Sequence, residues 1–218
     1  MKIHNLSTEN SIVNQFVAEL RDVNIHNDSM RFRKNLERIG EILAYEISKT
    51  LTYSTKNVQT PLGIAEAPLY SDQIVLSTIL RAGLPLHQGF LNIFDGAENA
   101  FVSAFRKYKR DHSSFQIVVE YMSSPSLDDK ILILTDPMLA TGSSMELAYC
   151  GLLQRGTPKH IHLASAIASQ QGIDYASQIF PKEKTTVWTA VVDPDLNEHS
   201  YIVPGIGDAG DLAYGQKI

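Results

Sequence analysis

The sequence predicts an α/β fold with a mostly parallel central sheet flanked by helices. Two patterns and one bound carry this. From Gln73 onward, strand-like, turn-like and helix-like stretches alternate at the spacing of parallel strands covered on both faces. Within that run, Ile131, Leu132, Ile133 and Leu134 form the unbroken apolar stretch of a doubly buried strand, and Asp136-Pro137 ends it because proline cannot donate to the ladder. The bound is size: 218 residues, 44% hydrophobic and 20% charged, suffice for one sheet-and-helix core. One domain over 1–218 is therefore expected, with N-terminal helices and a β-hairpin to about 70, a core sheet over 71–192 and a C-terminal segment over 193–218.

The elements follow in order. Residues 1–11 are polar and lack the apolar run of a signal sequence, and no stretch has the roughly eighteen apolar residues of a membrane span, so neither secretion nor insertion is expected. Asp28-Ser29 can cap a helix whose apolar positions Phe32, Leu36, Ile39, Leu43 and Ile47 recur every three or four residues. Its other face carries Arg31, Arg33, Lys34 and Arg38, which read as a solvated face or as a cationic rim over a site. Residues 50–70, with Thr, Ser, Asn, Pro61 and Gly63 between short alternating stretches, read as a β-hairpin outside the central sheet.

Strands are expected over 74–79, 100–105, 130–135, 160–168 and 185–192, with 116–121 extended, and helices over 84–94, 145–154 and 172–179. Ligands in such sheets bind at the carboxyl ends of strands, so the chemistry should lie at those ends. The single cysteine, Cys150, excludes an internal disulfide or a cysteine-rich metal site, and a reducing cytoplasm fits. Net charge is -5, which argues against nonspecific nucleic-acid binding and requires any anionic ligand to be held by local cations.

Three stretches at strand ends can do chemistry. After the strand over 130–135, Ala140, Thr141, Gly142, Ser143 and Ser144 form a loop of small residues leading into a helix that starts at about Ser143. Backbone N–H groups and a helix N-terminus there make a cradle for one phosphate, and Asp136 beside it can accept hydrogen bonds from hydroxyls of the same ligand, a ribose 5-phosphate. The loop has neither the G-x-G-x-x-G of dinucleotide folds nor the Gly-Lys-Ser/Thr of ATPases. The strand over 74–79 runs into Arg81-Ala82-Gly83, where a guanidinium can grip a diphosphate bidentately.

Farther on, Arg106, Lys107, Lys109 and Arg110, followed by polar 111–114, read as a mobile basic loop able to close over an anion, although the last three cations suit solvent equally well. The third stretch is 193–211, whose glycines and prolines argue against a helix and for a loop that brings backbone close to a ligand. Such backbone can read the alternating carbonyls and N–H groups of a pyrimidine. The histidines form no metal grouping; His160 and His162 share a strand face and read as structural, and Trp188 reads as core or interface.

These stretches resemble the type I phosphoribosyltransferases. The run from Asp136 to Ser144 is similar to the family's 5-phosphoribosyl 1-diphosphate (PRPP) signature, in the Asp-Pro-Met-Leu form of its uracil-specific branch, with Ser143 where glycine is usual. Arg81-Ala82-Gly83 resembles the diphosphate loop, with Pro85 and Gln88 for glycine and aspartate. The tail from Leu196 to Asp211 resembles the uracil-binding segment, departing only at Ser200 and Ile206.

The resemblance implies the family fold with an accessory hood, and conversion of uracil and PRPP to UMP and diphosphate with Mg2+ held mainly by substrate. It implies PRPP contacts at Arg81, Arg106, Asp136, Pro137, Met138, Leu139, residues 140–144 and Asp208; uracil contacts at Ile202, Gly207, Asp208 and Ala209; and catalytic roles for Asp136, Arg106 and Asp208. It leaves open whether GTP is an effector, as it is of some relatives, and it implies a homo-oligomer, dimer or higher, with no nucleic-acid or membrane partner. The rival readings are a PRPP-sensing nucleic-acid-binding regulator, which would want a basic face, and an enzyme for another base, which would want paired acids at 136 and 137.

Overall fold

A computed structural model describes residues 1–108 and 115–216, with 104–108 and 115–119 described by backbone alone. Its chain begins with β1 (Lys2–Asn5), α1 (Ile12–Arg21), α2 (Ser29–Ser48) and a hairpin of β2 (Tyr53–Thr60) and β3 (Gly63–Tyr70). The core follows as β4 (Ile74–Ile79), α3 (Leu84–Ile93), β5 (Glu98–Tyr108), β6 (Phe115–Ser123), β7 (Ile131–Thr135), β8 (Met138–Leu139), α4 (Ser143–Leu152), β9 (His160–Ser169), α5 (Gln170–Ile179) and β10 (Thr185–Asp193). The tail forms β11 (Asp195–Leu196), β12 (Ile202–Val203) and α6 (Ala209–Tyr214).

The main sheet has the order β1-β10-β9-β7-β4-β5-β6, with β8 also on β9. All main neighbours are parallel except β5 and β6. The apolar run of β7 does what its composition requires: Ile131 and Ile133 enter the core under α1, α2 and α3, while Leu132 and Leu134 enter the core under α4 and α5. Helix α2 starts where expected, with Asp28 Oδ1 accepting from the N–H groups of Met30 (3.0 Å) and Arg31 (3.1 Å), and its five spaced apolar residues are all buried. Helices α2 and α3 approach backbone to backbone, since a Cβ at Gly89 would stand 2.0 Å from Glu37 O.

Some expectations change. The polar N-terminus contains an edge strand, β1, which pairs in parallel with β10 from Lys2↔Thr186 to Asn5↔Thr189. The basic run after Phe105 is not all loop: 105–108 belong to β5 and pair with β6, Arg106 opposite Ile117. Lys109, Arg110 and 111–114, the rest of the expected mobile loop, lie outside the described residues. The tail is not free of helix either. Helix α6 includes Gly210, because Asp208 caps it through Oδ1, accepting from Asp211 N–H at 2.9 Å, and because Ala209 and Ala213 are fully buried. Among the described residues, no helix is long and apolar enough to cross a membrane.

Candidate active site

Because β4, β7, β9 and β10 are parallel, their ends at Ile79, Thr135, Ser169 and Asp193 share one edge of the sheet. The predicted stretches leave from that edge. After β7, Asp136 N–H donates to Ala164 O (3.1 Å), and Pro137 O accepts from Ala166 N–H (3.1 Å) and Ile167 N–H (3.0 Å), so the turn is pinned to β9. Met138 and Leu139 continue along β9 opposite Ile167 and Ala168.

The loop is held from the α5 side. Ser169 Oγ donates to Ala140 O (2.6 Å) and accepts from Gly172 N–H (2.8 Å), and a Cβ at Gly172 would stand 2.4 Å from Ala140 O. Gly142 has φ +81°, a left-handed conformation suited to glycine, and a Cβ there would meet Tyr175 at 2.8 Å. Helix α4 starts at Ser143, whose φ is not positive, so serine serves where the family pattern has glycine. Its N–H rests on Thr141 Oγ1 (3.3 Å). A helix of ten residues therefore directs its N-terminal N–H groups and dipole into a small-residue loop.

Asp136 is the unusual acid. Its Oδ1 accepts from Met138 N–H at 3.5 Å, longer than an ordinary N–H···O bond, and burial pushes its carboxyl up to about 7. Such a group is primed for hydrogen-bond donors brought by a ligand.

Arg81 follows β4 on a tight turn in which Gly83 N–H donates to Ile79 O (3.0 Å) and a Cβ at Gly83 would strike Thr78 Oγ1 at 2.1 Å. The Arg81 side chain is exposed, and its Nη2 reaches Gly215 O at 3.4 Å. A Cβ at Gly210 would stand 3.8 Å from Ala82 Cβ, so the tail lies against this turn. Arg106 lies on β5, four residues past Val102, which is opposite Ile79; its side chain is outside the described residues, as is that of Lys107.

In the tail, Ile202 and Ala209 are buried, Gly207 is exposed with φ +83°, and Asp208 caps α6 while remaining partly exposed. Arg21 of α1, absent from the sequence-based site, grips Asp193 at both oxygens (Nη1–Oδ2 2.9 Å, Nη2–Oδ1 2.7 Å) and donates to Gly205 O at 3.2 Å. Gly205 N–H donates to Asp193 Oδ2 at 2.9 Å. The pair thus fastens both polar groups of Gly205, at the root of the loop carrying Gly207 and Asp208. No local pattern marks Arg21; Asp193, the residue before a proline where β10 ends, carried the only signal.

One sheet edge thus carries a small-residue loop at a helix N-terminus, an acid with a raised pKa, an exposed guanidinium and a backbone-lined loop. Among the described residues, no group of three or more His, Cys, Asp or Glu stands close enough to hold a metal ion.

Comparison with known proteins gives the same direction. A family model described as uracil phosphoribosyltransferase matches residues 7–216. A protein of that name from Porphyromonas gingivalis is 61% identical over 218 residues, all of both chains. One from Methanothermobacter thermautotrophicus is 38% identical over 210 residues, covering 95% of this chain and 94% of its own. The solved AQ2163 protein from Aquifex aeolicus superposes with a TM-score of 0.83 at 29% identity, over 99% of each chain. A hypoxanthine phosphoribosyltransferase from Staphylococcus aureus, at TM-score 0.51 and 12% identity over 75% of this chain and 76% of its own, shares the fold.

Proposed function

Because the chain belongs to the uracil phosphoribosyltransferase family, we propose that it joins uracil to PRPP, forming UMP and releasing diphosphate. The observation that carries this reading is the meeting of the cradle, the Arg81 turn and the tail at one sheet edge. Breaking the bond between ribose C1 and the diphosphate oxygen leaves the electron pair on diphosphate and positive charge on the ribose. Uracil N1 then forms the bond to C1, and its proton balances the charge of the released diphosphate. Such a reaction needs no covalent nucleophile; it needs the partners held rigidly and water kept out.

In this reading, residues 140–144 with Pro137, Met138 and Leu139 hold the 5′-phosphate, Asp136 orients the ribose hydroxyls, and Arg81 and Arg106 stabilise the leaving diphosphate. Ile202, Gly207, Asp208 and Ala209 frame uracil, and 1–218 acts as one domain. Asp208 has one carboxylate oxygen engaged by Asp211 N–H, which leaves the other for a metal. That would suit Mg2+ held mainly by substrate, where the ion would supply neutralisation of the diphosphate charge.

Two further parts belong to the same proposal. A homo-oligomer is supported by the hairpin, on which Leu62 is 99% and Ile64 69% exposed, since a two-stranded hairpin is marginal unless something covers it. A smaller sedimenting species for Leu62→Asp is expected, and an unchanged mass would overturn this part. GTP as an effector is supported by a cavity of about 620 Å3 lined by Arg33 and Glu37 of α2 and Gln88 of α3, large enough for a nucleotide. Activity measured with and without GTP tests it.

The main test is turnover against a panel of bases with PRPP and magnesium. Activity confined to uracil and small 5-substituted analogues is expected. Equal or better activity with hypoxanthine, guanine or orotate overturns the reading.

A further inference from the structure

At the opposite, amino-terminal edge of the sheet, where β9 and β10 begin, lies a second cavity of about 700 Å3. Lys2, Lys159 and Lys182 line it together with His4, His160 and His162. The acids lining it are Asp72, already paired with Lys159, and Glu183. In a chain of net charge -5, this is a local reversal of sign.

Two of the lining histidines are held by Trp188. Its Nε1–H, a donor only, is 3.0 Å from His162 Nδ1, which must therefore accept. The His162 proton is thereby placed on Nε2, so the imidazole can offer only a donor elsewhere. His4 stacks on Trp188 with centroids 3.9 Å apart and planes 7° from parallel, which holds β1 over the same ring. The His160 ring lies 4.6 Å from that of His162, and its Nε2 meets Thr186 Oγ1 at 3.1 Å. Burial first, then the neighbouring histidines, pushes His162 down to about 3. Burial and then Lys2 also lower His4 and His160. His162 is therefore neutral at pH 7 and His4 and His160 are pushed the same way, so the positive charge of the lining rests on its lysines.

We propose that this cavity is a second anion site, separate from the cradle, which takes a phosphate or diphosphate group through Lys2, Lys182 and His162 Nε2–H. With Lys159 paired to Asp72, Lys2 and Lys182 stand against one acid, Glu183, and this net positive rim favours an oxyanion, each added negative charge gaining from the same local field. The group can arrive as a free ion or on a nucleotide.

Trp188 is the chain's only tryptophan and touches two of the lining histidines, so its emission reports on this cavity. The experiment titrates wild type, Arg81→Ala and the double variant Lys2→Gln/Lys182→Gln with sodium diphosphate, sodium phosphate and UMP, each against sodium chloride of matched ionic strength. A saturable change of emission, kept in Arg81→Ala and weakened at least tenfold in the double variant, is expected, with a shift of the His162 Cε1–H resonance at the same midpoint. A lower midpoint for UMP than for phosphate makes the occupant a nucleotide, and a response to the inorganic ions alone makes it free phosphate or diphosphate; both support the site. A response equal to that of chloride, an unchanged midpoint in the double variant, or loss of the response in Arg81→Ala overturns it.

Discussion

Asp136→Asn separates a catalytic role from a structural one more sharply than any other change at the site. The carboxyl receives one long contact from Met138 N–H at 3.5 Å, and burial raises its pKa from 3.8 to about 7. A raised pKa means that the folded chain binds the proton more tightly than the unfolded chain. The contribution to stability is therefore full below about pH 4, is lost progressively as pH rises to about 7, and changes no further above it. A shift of about three units corresponds to a ceiling of about 4 kcal/mol. Asparagine does not titrate, so the variant should gain on wild type across that window. At pH 8 it should be about 2–4 kcal/mol more stable, which at about 2–4 °C per kcal/mol for a chain of this size raises Tm by roughly 4–16 °C. Turnover should move the other way. Replacing one acceptor oxygen by a donor and removing the negative charge beside the forming ribose cation should reduce kcat by about tenfold to a thousandfold, or about 1.4–4 kcal/mol. Calorimetry at pH 5 and pH 8 and kcat from the same preparation test both halves. A variant less stable at pH 8, with near-normal kcat, would make Asp136 a turn cap; a stability gap equal at both pH values would refute the burial argument.

Other consequences are smaller or more local. Arg21→Leu leaves the buried Asp193 carboxylate without its bidentate partner and should cost about 3–5 kcal/mol in urea unfolding. If the clamp positions the loop as well as stabilising it, Arg21→Leu should raise KM for uracil more than KM for PRPP, and Arg21→Lys should recover part of the loss; equal changes in both constants would leave it purely structural. Ser200, at φ +65° in a turn closed by Asn197, bears a conformation that glycine adopts freely, so Ser200→Gly should gain about 1 kcal/mol. An unchanged unfolding midpoint would count against that. Arg81→Ala should weaken PRPP use by about 1.5–3 kcal/mol, read as kcat/KM for PRPP, whereas an unchanged value removes Arg81 from the diphosphate site.

The elements that sequence reveals are those whose reasons are local. Residues Ile131 to Leu134 announce a doubly buried strand because each side chain meets a core, and α2 announces itself because five apolar positions fall on one face beside a capping aspartate. Strand β1 is silent. Lys2, Ile3, His4 and Asn5 have no strand pattern of their own, and their conformation comes from pairing with β10 and from the stacking of His4 on Trp188. Helix α6 is hidden by Gly210, a poor helix residue outweighed by the Asp208 cap and by buried alanines on either side.

The same division runs through the site. The cradle is legible because a strand end, a small-residue loop and a helix start are consecutive, so one stretch of chain encodes both the shape and its polarity. What joins the cradle to the rest is not consecutive: Arg21 reaches Asp193 across 172 positions, Arg81 reaches Gly215 across 134, and Gly210 meets Ala82. These are common residue types in unremarkable surroundings, and only the parallel sheet, by bringing the ends of β4, β7 and β10 to one edge, gives them something to hold. The chemistry of each piece is therefore written locally, while the distances between pieces depend on contacts such as the Arg21–Asp193 clamp. A substitution far in sequence from the tail, at Arg21, should on this reasoning disturb the base pocket more than many substitutions within the tail itself.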